Sequence, residues 1–297
     1  MTYQPPQPPP GQYWQPGWGQ VPSPRPPRPR RRTALIIIVV VVAVLILGGG
    51  ITGVALLASS GGHNGAAGPK KTTTPTAPPS AGSTTGPCQY MATTGNPAPA
   101  GRNVGLPADP NPTPKTGTVT VTLRTSFGDI PMALNRAEAP CTVQSFLHLT
   151  SGKFFDNTYC HRETAYDTLK VLQCGDPTGS GTGGPGYNIP DEKPTNLKSA
   201  PSGDGQPAES IYPRGVVAMA NSGQPNSGGS QFFIVYGDSE LPPDYTIFGT
   251  VNASGLATLD KIVANGITPG TDPSTGQTSN QDGVPRLKVT IQTARAE

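Results

Sequence analysis

Cys160-His161-Arg162, Leu172-Gln173-Cys174-Gly175-Asp176, Met219-Ala220-Asn221 and Gly229-Ser230-Gln231-Phe232-Phe233-Ile234 decide how this chain is read. Each sits in or beside a short run of strand-forming residues. The spacing predicts strands over 158–162, 169–173, 215–220, 231–235 and 246–251. Upstream, TVTVTLRT at 118–125 alternates Val119, Val121 and Leu123 with polar residues, as a half-buried strand does. Phe127-Gly128-Asp129 turns it into a partner strand over 130–134. Pro140 suits the first turn of a helix that carries Val143, Phe146, Leu147 and Thr150 on one face and can end at Gly152. A second helix is expected over 256–264, with Leu259, Ile262 and Val263 inward, and a last strand over 287–293. Eight strands and two helices predict a mostly β fold, a closed eight-stranded antiparallel barrel capped by two α-helices.

The rest of the 297 residues is different in kind. Of the 37 Pro and 38 Gly, many Pro precede residue 115, so one globular domain of roughly 180 residues is expected. Residues 1–32 form a Pro-rich tail prone to polyproline II, read as solvated and cytoplasmic. Its Pro-x-x-Pro spacing also suits an aromatic-groove partner. From Ala34 to Ala58 the chain carries no charge, enough to cross a bilayer as a helix, so 33–58 is expected to be transmembrane. Arg25, Arg28, Arg30, Arg31 and Arg32 precede it, which predicts a cytoplasmic N-terminus and an extracytoplasmic C-terminal part. A cleaved signal peptide with its cut near Ala58 is the alternative. The same Arg run, beside an apolar segment and in a chain of net charge +3, points to a membrane flank rather than to nucleic acid. Residues 59–87 lack bulky apolar groups and read as a linker. Cys88, Tyr90, Met91, Val104 and Leu106 make 88–117 an arm lying on the domain, the folded domain proper being 118–297.

Four Cys at 88, 141, 160 and 174 show no C-x-x-C spacing, against zinc. Outside a membrane they predict disulfides. Three connectivities are possible, and strand parity disfavours Cys160–Cys174 by placing the two on opposite faces. Parity also separates Cys160 from His161, so they form no nucleophile–base dyad. GDPTGSGTGGPG at 175–186 lacks the Lys-Ser/Thr ending of a phosphate-binding P-loop.

The four opening motifs, in this order, resemble the active-site strands of the cyclophilin-type peptidyl-prolyl cis-trans isomerases, in a membrane-anchored form like that of actinobacteria. The resemblance covers about residues 118–297. It implies a site with no metal and no cofactor, acting on proline-containing peptides in unfolded exported proteins. Arg162 matches the catalytic arginine and Gln173 the glutamine that binds the substrate carbonyl. Ala220 and Asn221 match the edge that pairs with the peptide, and Gln231 lines the groove. Phe233 matches the floor of the proline pocket and Val171 its apolar wall. Gly181-Thr182-Gly183-Gly184 resembles the glycine loop beside the groove. Leu241 and Tyr245 stand where many members carry Trp and His, and Leu241 implies weak cyclosporin binding. Arg162 to Gln173 is about three residues longer than the common pattern, and Lys170 falls near a usual Phe. A proline-peptide binding module or a cell-envelope scaffold is the rival expectation.

Overall fold

The computed structural model describes residues 82–93, 98–99, 102–201, 208–271 and 276–297. The expected tail (1–32), membrane span (33–58) and most of the linker lie outside these residues. Among the described residues, no helix is long and apolar enough to cross a membrane.

Among the described residues the fold is mostly β with two helices. β2 (Thr118–Thr125) and β3 (Gly128–Asn135) form the expected hairpin, paired from Thr118↔Asn135 to Thr125↔Gly128. Thr125 closes its turn, its hydroxyl accepting from Phe127 N–H and donating to Gly128 C=O. Helix α1 (Pro140–Ser151) begins on Pro, but Ala139 before it offers no side-chain cap. The orphan N–H groups of that first turn are met from far along the chain. Glu192 accepts from Cys141 N–H (2.9 Å), Thr142 N–H (2.8 Å) and the Thr142 hydroxyl (2.8 Å). Gly152 ends the helix without left-handed backbone (φ −76°). A Cβ there would meet Val104 Cγ1 at 2.5 Å, so close packing of the arm demands glycine. Phe146 on the inner face of α1 packs on Phe155 (4.8 Å between centroids), Phe248 (5.1 Å) and Phe232 (5.3 Å), the centre of the main core. Helix α2 (Ala253–Val263) starts three residues earlier than expected. Its Asn252 cap supplies the reason, accepting from Gly255 N–H at 2.9 Å.

The main sheet is not the closed eight-stranded barrel expected from the sequence. It is an open, curled sheet of eleven strands, ordered β14-β15-β5-β6-β11-β10-β13-β3-β2-β16-β4. These are β4 (Thr158–Tyr159), β5 (Arg162–Tyr166), β6 (Leu169–Cys174), β10 (Val216–Met219), β11 (Phe232–Gly237), β13 (Ile247–Val251), β14 (Ile267–Thr271), β15 (Thr278–Pro285) and β16 (Thr290–Ala296), with β2 and β3. The expected strand over 158–162 divides in two. Cys160 N–H donates to Val289 C=O and His161 N–H to Gln173 C=O, so the chain passes from one neighbour to the other between those residues. β4 and β5 make no ladder with each other; β5 pairs with β15 and β6, and the open sheet ends at β4 and β14. The last strand runs three residues later than expected, because its register with β2 is set by Ala294↔Leu123 and Ala296↔Val121. Two small sheets complete the set: β1 (Met91–Ala92) with β7 (Tyr187–Asn188), and β8 (Lys198–Ser199), β9 (Ser210–Tyr212) and β12 (Ser239–Leu241).

Both disulfides are formed, Cys88–Cys141 and Cys160–Cys174. The second overturns the parity argument. Cys160 lies outside β5, beyond the change of neighbours at His161, so alternation does not carry back to it. The arm is folded on itself by Asp109 and held to the domain by Tyr90 and by Arg102, which donates to the carbonyls of Phe154 and Asp156. Asp109 accepts from Cys88 N–H, Gln89 N–H and the Thr84 hydroxyl, and the buried Tyr90 hydroxyl donates to Cys141 C=O at 2.7 Å.

Candidate active site

The sheet register builds the site. Arg162 pairs with Gln173, Gln173 with Phe233, and Phe233 with Ala218. Directly opposed residues share a face, so four strands present one row: guanidinium, amide, phenyl ring and methyl. Val171, two residues along β6, pairs with Val235 on the same face. Val171, Phe233, Val235, Ala218, Val216, Tyr212 and Leu241 form a second apolar cluster, separate from the main core. The alternate residues Leu172, Phe232, Ile234 and Val217 point the other way, into that core.

Polar contacts tie the row together. Arg162 Nη1 donates to Gln173 Oε1 (3.4 Å), Gln173 Nε2 to Gln231 Oε1 (3.0 Å), and Gln231 Nε2 to the carbonyls of Gly181 and Gly183 (2.9 Å each). Each amide oxygen accepts and each amide nitrogen donates in sequence, which fixes the orientation of both glutamines. On its other side Arg162 forms a two-point ion pair with Asp282, Nε to Oδ1 at 2.8 Å and Nη2 to Oδ2 at 2.6 Å.

The glycine loop is folded by Asp176, not by a phosphate. This fully buried carboxylate accepts from Thr178 N–H, the Thr178 hydroxyl and Gly183 N–H. A Cβ on Gly183 would lie 2.1 Å from Asp176 Oδ1, so only glycine permits the approach. A cleft of about 250 Å³ opens beside the row, lined by Gln173, Gly181, Ala220, Asn221 and Gln231 among others. Thr93 of the arm reaches it as well. Asn221 Nδ2 donates to Asp244 C=O at 3.1 Å, joining the cleft edge to the Leu241–Tyr245 turn. Tyr245 packs edge-on against Phe233 at 5.5 Å, and Leu241 is buried beside it in the same cluster. Burial raises the Tyr245 hydroxyl above its ordinary value while the Arg162 cation pulls it down, so the guanidinium is felt at the ring that borders Phe233. The structure thus brings together Arg162, Gln173, Gln231, Phe233, Val171, Leu241 and Tyr245, with Ala220, Asn221 and Gly181 around the adjoining cleft.

Two residues of the site escaped the sequence reading. Asp282 lies in a Gly- and Asn-containing stretch that reads as loop. Tyr212 accepts from Tyr245 N–H and donates to the carbonyls of Pro242 and Tyr245, holding the turn. A lone aromatic before Pro213 gave no periodic signal.

His161 and Glu163, either side of Arg162, are both buried and titrate in opposite senses. Burial is the main cause lowering His161 to about 4 from 6.5, and burial raises Glu163 to about 7 from 4.5. Between pH 4 and 6.5 the unfolded chain binds the extra proton at His161, so stability gains from rising pH. Between pH 4.5 and 7 the folded chain binds it at Glu163, so stability loses. The two slopes oppose each other over the shared window. Glu163→Gln is therefore expected to uncover the histidine, making the protein about 2–3 kcal/mol more stable at pH 6.5 than at pH 4.5 relative to the same comparison in wild type. Urea unfolding at the two pH values checks this. Parallel pH profiles for wild type and variant would refute it.

A curled antiparallel sheet with an Arg–Gln–Phe row beside a cleft defines a β-protein whose candidate site lies on one face of the sheet. Residues 120–296 match the family described as cyclophilin type peptidyl-prolyl cis-trans isomerase/CLD. The chain is 47% identical over 213 residues to a probable peptidyl-prolyl cis-trans isomerase B of Mycobacterium leprae, covering 71% of this chain and 66% of that protein. It is 46% identical over 208 residues to one of Mycobacterium tuberculosis, covering 69% and 62%. The chain thus spans about two thirds of the length of these relatives or slightly less. A solved cyclophilin type peptidyl-prolyl cis-trans isomerase of Cryptosporidium parvum aligns at 25% identity with a TM-score of 0.45, covering 61% of this chain and 98% of that one. The chain belongs to the cyclophilin-type peptidyl-prolyl cis-trans isomerase family.

Proposed function

We propose that the chain is a peptidyl-prolyl cis-trans isomerase that accelerates rotation about X-Pro bonds in exported proteins without a covalent intermediate. The observation that carries this reading is the in-register row Arg162–Gln173–Phe233. Delocalisation of the prolyl nitrogen's lone pair sets a barrier of about 18–20 kcal/mol. In the twisted state that pair is localised on nitrogen, where a guanidinium stabilises it more than the planar ground state. Arg162 fills this role, since its planar fork keeps its charge and holds its direction. Gln173 binds the substrate carbonyl. Phe233 floors the proline pocket, with Val171, Leu241 and Tyr245 as its walls, and Ala220, Asn221, Gln231 and Gly181 line the groove for the flanking residues. The chemistry asks for no metal and no cofactor.

In this reading residues 118–297 are the isomerase domain and 59–117 a linker and arm. Residues 33–58 are a membrane anchor, and 1–32 a cytoplasmic tail that can take a partner for Pro-rich segments. The uncharged 25-residue run with arginines on one side supports the anchor, and two disulfides suit an oxidising compartment. The mass of the natural N-terminus tests it: a chain beginning at Met1 or Thr2 supports the anchor, and one beginning near Ser59 refutes it.

The enzymatic reading is tested by refolding. A catalytic amount of the chain should abolish the slow X-Pro phase of a proline-limited substrate protein, which takes about tens to hundreds of seconds unaided. An unchanged slow phase would rule the activity out.

A further inference from the structure

The β14–β15 hairpin, absent from the strand pattern expected of this sequence, is built onto the edge of β5. Asp282 pairs with Thr164 and Gly283 with Glu163. Thr164 is two residues from Arg162 on the same strand, so Asp282 stands diagonally across from Arg162 on the same face. Its carboxylate takes Arg162 Nε–H and one Nη2–H, while Gln173 takes one Nη1–H. An arginine has five N–H donors. One remains on each terminal nitrogen, the pair available to a substrate. Both side chains of the ion pair are largely buried, at 13% and 17% exposure, so water screens the pair little.

A free arginine side chain has many rotamers, and fixing it at the moment of reaction carries an entropic cost. A two-point ion pair from a neighbouring strand fixes it beforehand. We propose that Asp282 is a positioning residue for the isomerisation, aiming the Arg162 guanidinium along the row from β5 towards Phe233. The hairpin that carries Asp282 thereby becomes part of the catalytic apparatus without touching substrate. This inference rests on the isomerase reading above.

The test compares the full wild-type chain with Asp282→Ala, Asp282→Asn and Asp282→Glu. Isomerisation of an Ala-Pro tetrapeptide is followed together with peptide affinity and the thermal midpoint. Losing one charged partner of a hydrogen-bonded pair should lower kcat about 10-fold to 100-fold in Asp282→Ala, with KM and peptide affinity within about threefold. Asp282→Glu, which keeps the carboxylate, should recover most of the turnover, and Asp282→Asn only part of it. The Arg162 Nε–H resonance should be slow to exchange with solvent in wild type and Asp282→Glu, and fast in Asp282→Ala. Wild-type kcat in a folded Asp282→Ala chain would overturn the inference while leaving the isomerase reading intact. So would a loss of turnover that follows the fall in thermal midpoint and is not recovered by glutamate. An inactive wild-type chain would overturn both.

Discussion

Arg162→Ala is expected to lower kcat/KM for an Ala-Pro peptide by roughly 10²–10³-fold, the size of effect seen when one preorganised donor is taken from a developing charge. The loss should fall on turnover. In the proposed reading the apolar cluster of Phe233, Val171, Tyr245 and Leu241 remains to take the proline ring, so peptide affinity should change by less than about tenfold. Folding should survive, because Arg162 lies on the groove face and the main core lies behind it. The variant does leave Asp282, a largely buried carboxylate, without its cationic partner, so some stability is lost and the thermal midpoint is read beside turnover. Arg162→Lys should recover little. A lysine is a point donor that cannot meet both Asp282 oxygens and Gln173 in the geometry of a planar fork. Turnover and affinity measured on the three proteins decide the matter. Equal turnover in wild type and Arg162→Ala would remove electrostatic catalysis by this residue.

Reduction of the disulfides should produce the largest change in stability. Cys88–Cys141 joins residues 53 apart, and constraining a loop of that length in the unfolded chain stabilises the folded one by about 4 kcal/mol. Cys160–Cys174 closes a loop over a separation of 14, for about 3 kcal/mol. For a domain of this size 1 kcal/mol moves the melting midpoint by about 2–4 °C. The Cys88→Ala, Cys141→Ala pair alone should therefore melt about 8–16 °C below wild type. Tyr90 and Arg102 keep the arm in contact with the domain after the bridge is lost, so the double variant should still fold. Neither cysteine lines the cleft, and turnover measured well below the midpoint should be nearly unchanged. Calorimetry of wild type, double variant and reduced wild type checks this. A shift below about 2 °C in the double variant would mean that the bridge constrains little.

The strands around the site were legible because β2 alternates apolar and polar residues, β10 and β11 are continuous apolar runs, and Pro140 marks a helix start. Phe232 and Phe233 were separable in advance, since neighbours on a strand face opposite ways. Reading failed where position depends on partners distant in sequence. β14 and β15 contain Pro269, Gly270, Asn280, Asp282 and Gly283, residues that signal turns, and the segment is ordered by its pairing with the edge of β5. The open sheet and the Cys160–Cys174 bridge differ from expectation for one shared reason: 158–162 is not a single strand, and the chain changes neighbours between Cys160 and His161. The Glu192 cap on α1 lies about 50 residues from the helix it serves, beyond the reach of any local capping signal. Asp282 was invisible for the same reason, 120 residues from its guanidinium partner.

The central claim is that the groove turns X-Pro bonds over and does not merely hold them. Two-dimensional exchange spectroscopy on an Ala-Pro peptide with a substoichiometric amount of the chain measures this directly. The predicted result is strong cis–trans exchange cross-peaks with wild type, far faster than the spontaneous rate, and none above background with Arg162→Ala. Peptide-induced shifts at Gln173 and Phe233 without exchange cross-peaks would contradict the account and leave a proline-peptide binding module in its place.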